Sequence, residues 1–168
     1  MSDERLTRRK FGALGLAAGA TAIASASALQ AQERNGGLQS EFLFAMTADI
    51  EPPLDIGARH VYNVTGGTFS GPKMSGEILP GGGDWLRRRP DGVSELDVRA
   101  TLKTDDGELI YVQYRGIVAP RDGGVYFRTT PVFETGSEKY GWLNNIVAVG
   151  VNRPAEQGKV TYDIYEIL

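Results

Sequence analysis

Apolar and polar residues alternate with a period of two along much of this chain. The clearest case is Ser94–Lys103. Leu96, Val98, Ala100 and Leu102 share one side; Glu95, Asp97, Arg99, Thr101 and Lys103 share the other. A strand sorts residues this way because successive side chains leave opposite faces of the pleat. Asp105-Asp106-Gly107 follows and reads as a hairpin turn, with glycine free to take the positive φ that closes such loops. Glu108–Val118 is the partner strand. A three-residue loop pairs residues whose numbers sum to 212, so Leu102 faces Ile110, Ala100 faces Val112 and Val98 faces Tyr114. On the other side Thr101 meets Tyr111, Arg99 meets Gln113 and Asp97 meets Arg115. A two-residue loop would oppose apolar and polar positions throughout, and that mismatch pins the register.

The rest of the chain carries the same signal in shorter runs. Glu41–Ile50 places Phe42, Phe44, Met46, Ala48 and Ile50 on one face. Ala58–Thr65 is rich in β-formers and is expected to break at Gly66-Gly67. Lys73–Leu79 is expected to end at Pro80-Gly81-Gly82-Gly83. Val125–Thr130, Asn145–Val151 and Lys159–Leu168 complete the set, Pro131–Ser137 reads as irregular, and Glu138–Leu143 as one helical turn at most. About eight short strands with Gly-rich turns and no amphipathic helix predict an all-β sandwich or barrel.

The N-terminus departs from this pattern. Thr7-Arg8-Arg9-Lys10-Phe11 is a twin-arginine motif, followed by a Gly/Ala-rich apolar run from Gly12 to Leu29 and small-residue cleavage sites at Ala26-Ser27-Ala28 or Leu29-Gln30-Ala31. Six glycine, serine and threonine residues within that run favour a cleaved signal over a retained anchor. Residues 1–31 are therefore expected to be a signal peptide, 32–40 a flexible segment and 41–168 a single domain. This predicts passage through the twin-arginine translocase into the periplasm, with no stable membrane insertion after cleavage. Residues 32–168 hold 14 basic and 19 acidic side chains, a net charge of −5. Such an acidic domain argues against a nucleic-acid partner. The chain has no cysteine and one histidine, His60. Disulfides and thiolate chemistry are excluded, and no cofactor or tightly held transition metal is expected.

Several blocks carry a family resemblance. They are Val61-Tyr62-Asn63-Val64-Thr65-Gly66-Gly67-Thr68-Phe69-Ser70-Gly71-Pro72, Gly76, Leu79-Pro80-Gly81-Gly82-Gly83-Asp84-Trp85, Asp97-Val98-Arg99, Tyr126-Phe127-Arg128, Phe133-Glu134-Thr135-Gly136 and Tyr140-Gly141-Trp142-Leu143-Asn144. In this order they resemble the bacterial domain-of-unknown-function 3237 family, from about Phe42 to the C-terminus. The resemblance implies a closed or nearly closed antiparallel β-barrel rather than a sandwich. It implies no agreed activity and no catalytic residues.

Three groups of residues can carry chemistry. The polar face of the hairpin offers Asp97, Arg99, Tyr111 and Arg115. Facing outward it is a solvated surface; turned inward under a cover it lines a cavity. Gly81-Gly82-Gly83-Asp84-Trp85 combines a permissive backbone with a carboxylate and a stacking ring. Glu134, Tyr140, Trp142 and Asn144 mix a carboxylate, aromatic platforms and an amide, which suits a sugar or an oxygenated aromatic compound. On this reading Asp97 is a base, Asp84 or Glu134 an acid, and Arg99 or Arg128 a support for a developing oxyanion. Trp85, Tyr111, Arg115, Arg128, Tyr140, Trp142 and Asn144 would hold the ligand. Metal-independent isomerisation, elimination or lactone hydrolysis would follow. The alternatives are a non-catalytic ligand-binding module and a barrel that buries its apolar hairpin face in a homodimer.

Overall fold

The computed structural model describes residues 37–168. The expected signal peptide, residues 1–31, lies outside them, as does the first part of segment 32–40. The described residues form nine strands: β1 (Ser40–Ile50), β2 (Leu54–Asp55), β3 (Arg59–Ser70), β4 (Ser75–Arg88), β5 (Ser94–Thr104), β6 (Leu109–Arg121), β7 (Gly124–Glu134), β8 (Val147–Arg153) and β9 (Lys159–Ile167). A 3-10 turn at Gly141–Asn145 is the one helical element among the described residues. Neighbours pair antiparallel from β3 through β9; β9 then pairs with β1, and β1 with β3. Eight strands thus close a barrel, and the two-residue β2 adds only to β3. Closure leaves none of the eight with a free edge along its whole length.

The β5–β6 register is the one the alternation requires: Leu102 pairs with Ile110, Val98 with Tyr114 and Asp97 with Arg115. Leu96, Val98, Ala100, Leu102, Ile110, Val112 and Tyr114 are buried inside the barrel. Asp97, Arg99, Thr101, Tyr111, Gln113 and Arg115 therefore face outward.

Three expected breaks are not breaks. β3 runs through Gly66-Gly67, β4 runs through Pro80 and the three glycines, and β7 continues to Glu134. In β3 and β4 the glycines are bends within strands rather than loops. The β3–β4 register jumps between Asn63 and Thr68, and the β4–β5 register jumps between Leu79 and Gly83. Pro80 falls in that gap, where no ladder donor is required of it. A small barrel must coil its strands sharply, and bulges with glycine supply the coil. Gly67 shows the constraint: its φ is 141°, and a Cβ there would collide with the Thr47 carbonyl.

The two barrel ends differ. At the end bearing the β5–β6 hairpin, Phe44 packs edge-on against Phe69 and Phe133, with ring centroids 5.5 and 6.0 Å apart. Tyr140 and Leu143, from the segment around the 3-10 turn, are buried against this core and plug it. The Asp106 carboxylate fastens the plug, receiving the Tyr140 hydroxyl (3.1 Å), Lys139 Nζ (2.6 Å) and the Thr104 hydroxyl. Those bonds, that of Lys139 foremost, pull the Asp106 pKa down to about 2. Among the described residues no element plugs the opposite end, and there the core gives way to a cavity.

Candidate functional site

The cavity at the open end has a volume of about 290 Å³. Its walls are mainly aliphatic and aromatic, including Val64, Leu96, Val98, Phe127 and Val160. Asp84 projects into it from β4, just beyond the glycine bend. Its Oδ1 accepts the backbone N–H of Asp97 at 3.1 Å. Burial pushes the Asp84 carboxyl up to about 6; the Asp97 N–H opposes the shift and the Asp97 charge adds to it. A carboxyl poised there exchanges protons readily near neutral pH.

Two tyrosines line the same cavity. Tyr114 and Tyr162 are buried, with rings edge-to-face at 5.8 Å, and Phe127 packs on Tyr162 at 5.4 Å. Burial first, then the Asp84 charge, holds the Tyr114 phenol well above its ordinary pKa. Tyr162 is raised by burial, then by Tyr114, then by Asp84. Both phenols therefore stay protonated at neutral pH; they bond to each other, which leaves one O–H to donate into the cavity. Tyr62 and Lys159 also line the cavity; Lys159 Nζ pairs with Asp49 at 2.7 Å.

The residues singled out from sequence go to four places. Of them, Asp84 alone lines the end cavity. Asp97, Arg99, Trp85, Arg115 and Arg128 lie on the outer wall. Asp97 and Arg99 form an ion pair there at 3.2 Å, without the alignment of a hydrogen bond, and the Arg99 guanidinium sits 5.4 Å from the Trp85 ring centre. Tyr111, Glu134 and Asn144 flank a separate shallow depression. Asn144 is committed to structure, exchanging two 2.9 Å bonds with the Thr135 backbone. Tyr140 belongs to the plug, and Trp142 packs on the core with Lys73 Nζ 5.4 Å from its ring centre. The inward-turned hairpin face, with its carboxylates and arginines around one enclosed pocket, does not form.

Tyr114 and Tyr162 were not among the sequence candidates. The available signal for Tyr114 was its place opposite Val98 on an apolar face: a phenol on the buried side needs a polar neighbour. Among the described residues no three histidine, aspartate or glutamate side chains cluster as a metal site.

The protein is thus a closed eight-strand barrel with one plugged end and one carboxyl-bearing end cavity. The family described as "Protein of unknown function (DUF3237)" matches residues 38–167, and the chain belongs to it. A UPF0311 protein from Rhodopseudomonas palustris is 31% identical over 152 residues, covering 78% of this chain and 97% of that one. The crystal structure of a β-barrel-like protein from Acinetobacter baumannii superimposes with a TM-score of 0.73 at 35% identity, covering 78% of this chain and 96% of that one. The hydroalkoxylation enzyme phnH of Penicillium herquei is 31% identical over 115 residues, covering 66% of this chain and 71% of that one.

Proposed function

We propose that this protein is an enzyme that moves a proton within a small oxygenated substrate held in the end cavity, with Asp84 as the proton carrier. The observation that carries this reading is the Asp84 carboxyl, raised to about 6 inside a mainly apolar chamber beside two neutral phenols. Hydroalkoxylation, the activity of the fungal relative, adds an O–H across a carbon–carbon double bond, and the same parts suffice for it. Asp84 takes the hydroxyl proton. The freed oxygen attacks the far carbon of a conjugated double bond. Negative charge then collects on the acceptor carbonyl oxygen, to which the Tyr114–Tyr162 phenol pair donates a hydrogen bond. Protonated Asp84 returns the proton to the near carbon. No atom is gained or lost, and the carboxylate is regenerated. The cavity volume admits a mono- or bicyclic compound, whose apolar body displaces water from the mainly apolar walls as it binds.

The test uses hydroxylated enones and phenols bearing a conjugated alkene. Binding is followed by amide shifts at Val98, Phe127 and Val160, and turnover by the appearance of an isomer of unchanged mass. In the free enzyme kcat/KM should rise about tenfold per pH unit below 6 and level off above it, as the base ionises. Tyr114→Phe should lower kcat by about 10-fold or more with little change in KM. Binding outside the cavity, or turnover insensitive to pH between 5 and 7, would overturn the assignment.

We further propose that the protein works in the periplasm after export by the twin-arginine route, a reading that rests on Thr7-Arg8-Arg9-Lys10-Phe11 and the apolar run behind it. Replacing Arg8 and Arg9 together by lysine should leave full-length precursor in the cytoplasm. Unimpaired recovery of the processed chain from the periplasm would sink the idea.

A further inference from the structure

The outer wall of the barrel carries a second concavity that the interior chemistry leaves unused. Its volume is about 760 Å³, against 290 Å³ for the end cavity. Two cross-strand rows build it. Arg59, Arg87, Glu95, Ile117 and Arg128 pair in succession from β3 to β7. Beside them run Asp97, Arg115 and Thr130, with Trp85 at the β4 end. Four arginines thus share one groove with two carboxylates.

The carboxylates are already engaged. Glu95 takes Arg87 at 3.3 Å and Arg89 at 3.4 Å, and Asp97 takes Arg99 at 3.2 Å. Arg59, Arg115 and Arg128 have no carboxylate within ion-pair reach among the described residues, although Asp97 lies directly across from Arg115. Arg59 donates one guanidinium nitrogen to the Trp85 carbonyl (2.7 Å) and Arg128 one to the Phe127 carbonyl (2.8 Å). Those bonds fix the two heads in place without neutralising them. Three uncompensated guanidiniums in one groove run against the net charge of −5 carried by residues 32–168. Repulsion among them costs stability unless something anionic binds. The guanidinium fork matches the two oxygens of a carboxylate or phosphate, and fixed forks lose little freedom on binding. The half-exposed Trp85 ring and Ile117 give the same groove apolar surface, and Tyr126 lines it with the Arg121 and Arg128 guanidiniums 4.1 and 5.2 Å from its ring centre.

We propose that this groove binds a small organic anion, its phosphate or carboxylate oxygens held by Arg59, Arg115 and Arg128 and its apolar part against Trp85, Ile117 and Tyr126. The groove spans too few charges for a polymer backbone. It also lies on the opposite side of the wall from Asp84, so occupancy of the two sites is separable. The full chain is titrated with inorganic pyrophosphate and with citrate, by calorimetry and by amide shifts. Saturable binding of either, with shifts at Ile117 and Thr130 that fade at high salt, supports the site; the tighter probe names its chemistry. Arg115→Gln with Arg128→Gln should weaken that binding at least about tenfold while leaving the Asp84 titration in place. No saturable shift at the groove, or equal affinity in the double variant, overturns the proposal. So does a shift of the same amides with protein concentration alone, which would make this wall a contact between two copies.

Discussion

Asp84→Asn is expected to abolish turnover and to stabilise the protein at the same time. The loss follows from chemistry: an amide neither accepts nor returns the proton, and removal of a positioned acid–base group costs about 10²–10⁴ in rate. The gain follows from linkage. The Asp84 pKa is near 3.8 when unfolded and about 6 when folded. Between those values the native state binds more protons than the unfolded chain, so stability falls as pH rises through the window. Above pH 6 the whole penalty is in place, about 3 kcal/mol for a shift of this size. Asparagine carries no charge to desolvate, and its Oδ1 can still accept the Asp97 N–H. At pH 7 the variant should therefore be more stable by about 2 kcal/mol, raising Tm by roughly 6 °C. The difference should be mostly gone at pH 4 and vanish below the unfolded value of 3.8, where Asp84 is protonated in both states. Thermal melts at pH 4 and pH 7, run beside the turnover assay, read both halves. A variant that is inactive but less stable at pH 7 would return Asp84 to a structural role.

A group that lowers stability where it sits marks a site better than any motif in this chain does. It also explains how far the sequence could be read. The β5–β6 hairpin was legible to the residue, because its loop length and its alternation each demand the same register. Closure into a barrel was not legible from periodicity; it came with the family blocks. The glycine bends do not show in the sequence, for a physical reason. Gly66-Gly67 and Gly81-Gly82-Gly83 have the composition of loops, but tight coiling of a small barrel asks for the same absent Cβ within strands. With β4 cut at Pro80, Asp84 had no pairing partner. Its opposition to Val98, and so its inward aim near Tyr114, could not be deduced. Asp97, Arg99 and Arg115 stand out in the sequence because charges alternate with apolar residues on that hairpin. Alternation alone could not say which face the barrel would enclose.

Phe44→Ala is expected to cost about 3–5 kcal/mol without moving the pH dependence of the reaction. Phe44 is fully buried at the plugged end, between Phe69 and Phe133. Its removal leaves a void that rigid neighbours on several strands cannot fill. The Asp106 contacts to Thr104, Lys139 and Tyr140 hold the plug in place and limit its settling into the gap. Against a total stability of about 5–15 kcal/mol, such a loss is severe. Val98→Ala provides the contrast. Val98 is equally part of the apolar wall, but it already borders the end cavity. Shortening it enlarges an existing space rather than opening a new one, so only the transfer cost remains, about 0.8 kcal/mol per methylene. Denaturant melts of the two variants should differ about two- to threefold in their loss of stability. At a temperature where both are folded, Phe44→Ala should keep its midpoint near pH 6, while Val98→Ala should alter KM for bulky substrates. Equal losses at the two positions would mean that the ends of the barrel are packed alike, and that the cavity is no more a site than the plug.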